Sequence, residues 1–406
     1  MSSKNMNRLS IRTASPLSVR LVNRSIVLKL IRRCQPISRA ELARKTGFFR
    51  SSISDIVDEL IEDKLVAEQA GVALRRGRVP TSLWLNNESY SVLGLIIRPE
   101  YCQIAVAGLS GTIQRSLAFA TPRNPRQLLK EIKRASLQVT HDAGIRRISK
   151  VRRIGVSVPG HVDTPTGRIL WTPTHPELTN FAITEEIQSS LGIETIADND
   201  CNVGALSELW ATSDEHPNRS HDFVFLNISD YGAGGGAILD GQLYSGHDGH
   251  FCAEFGHMII DPFGPPCGCG RRGCWELFVS NSSTWKRYRP TKQFSPEGFE
   301  DLMSTARKGS TKAFEALKIT ARYLSLGISN IGFALNPAEV VVAGRITRIW
   351  DQISTMISDE YGSPRLKCSI RPARLSADDS LLHGAVCLAL REVYASPRFG
   401  EVKNLS

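Results

Sequence analysis

The chain has 406 residues, 41% hydrophobic and 22% charged, an ordinary make-up for a soluble globular protein of two or three domains. It holds no run of about 18 apolar residues, so no membrane helix is expected, and its basic start lacks the apolar core of a secretory signal. The chain is therefore expected in the cytoplasm, where its nine cysteines argue for free thiols or metal ligands rather than disulfides.

The net charge of +10 is unevenly placed. Residues 1–90 hold 16 Lys/Arg against 8 Asp/Glu, and the other 316 hold 34 against 32. A basic end on a near-neutral body is the footprint of a nucleic-acid-binding module, the alternative being a solubilising tail. "VRLVNRSIVLKLIRR" has helical apolar spacing through Leu21, Ile26, Leu28, Leu30 and Ile31. In "ISRAELARKTG", Ser38 and Glu41 form a capping box and Gly47 supplies a tight turn. "FFRSSISDIVDELIEDKLV" then resumes helical spacing, which completes a helix-turn-helix.

Arg50, Ser51, Ser52 and Ser54 open the second helix with small or basic groups suited to a major groove, and Arg39 joins them as a candidate DNA contact. The acidic residues farther along (Asp55, Asp58, Glu59, Glu62, Asp63) would be repelled by phosphate, so only the first turns can face DNA. Phe49 stands where a Ser or Thr N-cap would normally open this helix. "LVAEQAGVALRRGRVPTSLWLN" reads as a β-hairpin wing with Arg75, Arg76 and Arg78 at its tip, placed to grip phosphates or enter a minor groove. A small protein-interaction module is the competing interpretation of these helices.

From about Ser91 strands alternate with helices, as in an α/β fold with ligands at strand ends. "SVLGLIIRPEYCQIAVAGLSGTI" reads as two strands and a turn, and "VRRIGVSVPGHVDTPTGRI" as a strand ending in a Pro-Gly turn. "IETIADNDCNVGALSELW" runs from strand into helix, and "FVFLNISDYGAGGGAILDGQLY" is a glycine-rich hairpin. "ARYLSLGISNIGFALNPAEVVVAGRI" is a long helix followed by a strand.

The marks "GVSVPG", "ADNDCNVGALSE", "GAGGGAILDGQL", "CAEFGHM", "CGCGRRGCWE" and "LNPAEVVVAG" occur in order behind the winged helix. With them the chain resembles, over essentially its whole length, the ROK family of bacterial sugar kinases and sugar-responsive repressors. The resemblance implies an α/β fold of two actin- and hexokinase-like lobes closing over a sugar. It divides the chain into a winged helix-turn-helix over residues 1–88 and an effector-binding and oligomerisation domain over 89–406. Winged-helix members are similar to repressors of glucose, N-acetylglucosamine or xylose genes.

The resemblance makes Asp200, preceded by Asn199, the match of the kinase base, and Glu254, His257 and Glu276 the matches of groups that hydrogen-bond sugar hydroxyls. Phosphoryl transfer also needs glycine-rich turns that cradle the nucleotide. Where the kinases carry Asp-x-Gly-Gly-Thr, this chain has Ile96, Arg98, Pro99 and Glu100, and Asp230 and Tyr231 replace Gly and Thr before Gly232. Proline removes a donor and glutamate adds negative charge. The expectation is a sensor that keeps Asp200 as a vestige and does no chemistry; a ROK kinase carrying a DNA-binding domain is the alternative. The expected partners are double-stranded operator DNA and a sugar or sugar-phosphate effector, in a homodimer or homotetramer with no membrane contact.

The sugar-lining segment departs from the family pattern. In "WTPTHPELTNF", Thr174 and His175 stand near the usual Asn and Phe181 near the usual Trp, while Cys252 and Ala253 replace Ala-Gly before Glu254.

Cys267, Cys269 and Cys274, with His257 ten residues upstream, offer three thiolates and one imidazole, a closed tetrahedral set for structural Zn²⁺. Gly268, Gly270 and Gly273 let the backbone wrap an ion, and the family resemblance implies a zinc site at this pattern. The remaining six cysteines lack ligand spacing and are expected to be ordinary thiols.

Overall fold

The computed structural model describes residues 16–70, 81–215, 222–247, 249, 252–361 and 368–394. Chain contacts divide the molecule into two units.

The first unit comprises the described parts of Met1–Ser91, Gly108–Thr112 and Leu390–Ser406. It contains helices α1 (Pro16–Cys34), α2 (Arg39–Thr46) and α3 (Arg50–Glu62), then strands β1 (Val66–Ala70) and β2 (Thr81–Leu85). Ile53, Ile56, Val57 and Leu60 recur at helical spacing on α3 and are all buried with Val27, Leu28, Ile31, Leu42 and Leu83, the apolar stripe that lets three short helices share a core. Gly47 closes α2 in the left-handed conformation (φ 74°), with its N–H on the Ala43 carbonyl at 2.9 Å. β1 and β2 pair antiparallel, Val66 opposite Leu85 and Ala70 opposite Thr81. Ile37 bridges to Leu83 as a third short segment. The unit is a winged helix-turn-helix. The wing-tip residues Arg75, Arg76 and Arg78 lie outside the described residues.

The second unit contains two five-stranded sheets. The first uses β3 (Ser91–Ile97), β4 (Tyr101–Ala107), β5 (Ile113–Ala120), β6 (Val151–Val158) and β9 (Glu194–Asn199). A small hairpin, β7 (His161–Asp163) and β8 (Arg168–Trp171), follows β6. Helices α4 (Pro125–Asp142) and α5 (Ile183–Leu191) belong to this lobe, and α6 (Asp200–Glu215) follows β9 directly. The second sheet uses β10 (Phe223–Ile228), β11 (Ala233–Leu239), β12 (Gln242–Leu243), β13 (Glu339–Gly344) and β14 (Ser369–Pro372). Its helices are α7 (Glu276–Val279), α8 (Asn281–Tyr288), α9 (Pro296–Arg307), α10 (Thr311–Leu335), α11 (Trp350–Tyr361) and α12 (Ala377–Tyr394).

The sheet orders are β5-β4-β3-β6-β9 and β12-β11-β10-β13-β14. In chain order each runs third, second, first, fourth, fifth, so the unit is a structural duplication. Strand β3 is buried along its whole length, as a central strand covered on both faces must be. Helices α6 and α12 contribute Val203, Ala205, Leu381, Leu382 and Ala385 to a core shared with Ile96, Phe225 and Val341 of the two sheets. Gly155 permits this closeness: a Cβ there would stand 2.1 Å from the Ala385 carbonyl oxygen.

The segments read as strands and turns appear as β3–β4, β6, β9–α6, β10–β11 and α10–β13. The β7–β8 hairpin and α12 had no counterpart in the sequence reading. Among the described residues no helix is long and apolar enough to cross a membrane.

Candidate functional site

In the first unit the Ser38 Oγ accepts from the Glu41 N–H at 3.2 Å, while Glu41 Oε2 accepts from the Ser38 N–H at 3.0 Å. The capping box fixes the start of α2. Helix α3 starts on Phe49 without a side-chain cap, and Phe49 is 83% exposed. Arg50 and Ser51 are exposed and Ser52 and Ser54 half-buried, all on the first turns of this helix. Arg39 differs from them. Its guanidinium donates to Glu68 at 2.9 Å, to the Ser54 carbonyl at 3.2 Å and to Asp58 at 2.7 Å, so it braces α2 against α3 and β1.

In the second unit a narrow cleft is lined by residues that include Gly160, His161, Asp198, Asn199, Asn202 and Glu254. Asn199 ends β9, donating to the Gly160 carbonyl at 2.7 Å and accepting from the Cys201 N–H at 2.8 Å. Asp198 accepts from Asn202 Nδ2 at 2.8 Å. Asp200 opens α6 with little exposure. Burial pushes its pKa up, Arg98 opposes the rise, and Glu254 adds to it. His161 Nε2 lies 3.3 Å from Glu254 Oε1, and its ring stands 5.4 Å from that of Trp171. His161, Asp198 and Asn202 were missed in the sequence. The first follows the Pro-Gly turn of "GVSVPG", the one local signal that marked this corner. His175 is buried, with Nδ1 3.3 Å from Thr174 Oγ1, and its burial lowers its pKa. It is not among the residues lining the cleft.

The turn between β3 and β4 carries Arg98. Its Nη1 is 4.0 Å from Asp200 Oδ2, and its Nη2 is 3.4 Å from Asp378 Oδ1 at the start of α12. The matching turn between β10 and β11 carries Asp230, which accepts from Asn281 Nδ2 at 2.8 Å and lies 3.3 Å from Arg345 Nε. Arg345 also donates to Glu300 at 3.1 Å. Burial disfavours its charge, but Asp230, Glu300 and Asp378 together raise its pKa. Both turns are thus engaged in the chain's own ion pairs.

The cysteine loop is built by close backbone pairing. Cys267 N donates to the Arg271 carbonyl at 2.8 Å, Gly273 N to Pro265 at 2.8 Å and Trp275 N to Met258 at 2.8 Å. A Cβ on Gly273 (φ 64°) would stand 1.5 Å from the Asp261 carbonyl oxygen. Trp275 is fully buried and donates to the Tyr323 carbonyl at 2.6 Å, which pins the loop to α10.

Donor atoms of His257, Cys267, Cys269 and Cys274 all lie within 4.8 Å of one another, a span that four ligands around one ion can occupy. Cys269 and Cys274 sulfurs are 3.6 Å apart, and His257 Nδ1 is 3.7 Å from Cys267 Sγ. Burial pushes the Cys267 and Cys274 thiols up. For Cys269 burial acts the same way, but hydrogen bonds from Arg271, Cys267 and Cys274 bring its pKa down to about 6. Three thiols and an imidazole held this close fit a borderline-soft divalent cation.

His257 and Glu276 stand at this loop and not among the residues lining the cleft. Glu276 Oε1 is 3.4 Å from His257 Nδ1 and 3.0 Å from Cys267 Sγ. The reason is chain geometry, since Glu276 lies two residues after Cys274 and so stays beside the cysteine loop. The structure therefore places Asn199 and Glu254 at the cleft, with Asp200 next to Asn199 in the chain but not among the lining residues, and sets His257 and Glu276 beside the cysteines.

Known proteins resemble this chain over most of its length. The xylose repressor of Bacillus spizizenii is 29% identical over 349 residues, covering 85% of this chain and 88% of the repressor. The DNA-binding transcriptional dual regulator NagC of Escherichia coli is 25% identical over 337 residues, covering 81% and 82%. Among solved structures, a ROK family transcriptional regulator described as a homologue of the Escherichia coli MLC protein matches with a TM-score of 0.76 at 23% identity, covering 93% of this chain and 97% of that one. A ROK family glucokinase from Streptomyces griseus, in complex with glucose and AMPPNP, matches with a TM-score of 0.62 at 22% identity, covering 74% and 99%. The family model described as "ROK family" matches residues 93–392, most of the chain, and the protein belongs to the ROK family.

Proposed function

We propose that the protein is a sugar-responsive, DNA-binding transcriptional regulator, acting as a repressor of carbohydrate genes, with no kinase activity. The observation that carries the sensor assignment is the pairing of Asp200 with Arg98. The carboxylate at the kinase-base position faces a guanidinium supplied by the turn that kinases use for phosphate. Asp230, held by Asn281 and Arg345, supports it from the other lobe. The relatives named as repressors over more than four fifths of the chain support the regulatory half.

In this scheme Asn199, Asp200 and Glu254 hold the sugar, and Arg50, Ser51, Ser52 and Ser54 meet the major groove with Arg75, Arg76 and Arg78 on the backbone. Arg39 acts by bracing α2 and α3. Zn²⁺ held by His257, Cys267, Cys269 and Cys274 supplies no chemistry. It fixes the loop that carries Glu254 on one side and Glu276 on the other. The protein works in the cytoplasm as a homodimer or homotetramer, and the sugar shifts the DNA-competent population by its differential affinity for two states.

Two assays test this. Mobility shifts on operator DNA across a sugar panel should reveal one sugar that changes affinity, and no effect from any member removes the sensor. ATP-dependent phosphorylation of common hexoses should be undetectable, and steady turnover restores the kinase.

A further inference from the structure

We infer that the cleft is a charge filter set by Arg98: it admits an uncharged sugar and rejects its phosphate or uronic acid. The inference rests on the sugar-sensor reading and specifies its ligand class.

Three observations carry it. First, the Arg98 guanidinium is already shared between two carboxylates, 4.0 Å from Asp200 and 3.4 Å from Asp378. A phosphate entering beside it would have to displace a covalently tethered anion. Second, Asp198 and Glu254 line the cleft, Asp200 adjoins it, and no lysine or arginine stands among the described lining residues. An anionic ligand would add like charge to a poorly solvated place. Third, one buried group at the cleft is an acceptor without a partner. Asn202, 8% exposed, donates its Nδ2 to Asp198, while its Oδ1 has no hydrogen-bond partner among the described residues. A sugar hydroxyl can donate to such an oxygen, whereas a phosphate dianion or carboxylate only accepts.

Calorimetric titration of the full chain with matched sets tests the filter: glucose, glucose 6-phosphate and glucuronate; N-acetylglucosamine and its 6-phosphate; xylose and xylose 5-phosphate. At least one neutral sugar is expected to bind, with its phosphate or acid at least tenfold weaker. Equal or tighter binding by a charged member overturns the filter. Asp378 is about half exposed, so Asp378→Asn should fold. It frees half of the guanidinium and should narrow the neutral-to-phosphate ratio at least threefold, as should Asp378→Ala. An unchanged ratio in both variants overturns the role given to Arg98. If no sugar of either charge binds, the sugar-sensor reading itself falls and takes the filter with it.

Discussion

His161 Nε2 lies 3.3 Å from Glu254 Oε1, so the short hairpin of one lobe holds a carboxylate presented by the loop of the other. A hydrogen bond to a charged group contributes about 1.5–3 kcal/mol. His161→Ala should therefore weaken sugar binding roughly tenfold, and His161→Gln, which can still donate, should recover part of it. Calorimetry on the two variants checks this, and equal affinities for wild type and His161→Ala would refute it.

Cys269→Ser removes one donor of the four-residue metal set, at an exposed position. Bound zinc, read by elemental analysis, should fall below one ion per chain, and the thermal shift caused by sugar should disappear with it. Metal loss with an intact sugar response would separate the two sites.

Burial raises the Asp200 pKa above its ordinary 3.8. A carboxylate of this kind contributes most to stability below its unfolded pKa, and loses that contribution as pH rises through its folded pKa. Asp200→Asn should accordingly be at least as stable as wild type at pH 7, its advantage shrinking toward pH 4, while sugar affinity falls. Urea melts at both pH values decide the matter. A variant clearly less stable at pH 7 contradicts the sign.

Phe49 gives α3 no side-chain cap. Phe49→Ser supplies one and should stabilise the protein by roughly 0.5–1 kcal/mol. A lower urea midpoint would show that Phe49 packs in a way that its 83% exposure does not suggest.

Arg50 is exposed on the first turn of α3. As a major-groove contact, Arg50→Ala should cost about 1–3 kcal/mol on the operator and relax its sequence preference. Uniform weakening across sequences, with the slope of log K against log salt reduced by about one, would place Arg50 on the backbone instead.

The elements legible in the sequence were those with local grammar. Ser38, Glu41 and Gly47 spell out α2 within ten residues, and Cys267, Cys269 and Cys274 cluster within eight. What stayed hidden depends on distant partners. Helix α12 is packed between two sheets through small residues such as Gly384 and Ala385, so it lacks the one-sided apolar stripe that announces a surface helix. Asp378 meets Arg98 across roughly two thirds of the chain's length. His161 and Glu254 are separated by most of a lobe, and no spacing rule links them. For Arg39, charge alone cannot reveal that three acceptors on α3 and β1 engage its guanidinium.

The equal strand orders of the two sheets place the β3–β4 and β10–β11 turns at matching positions in the two halves of the duplication. One turn bears Arg98 and the other Asp230, with Asp378 and Arg345 as their oppositely charged neighbours. Hairpins related by repetition thus carry side chains of opposite sign, each paired within the chain. Each turn is therefore held by a side chain of opposite sign that the same chain supplies far downstream.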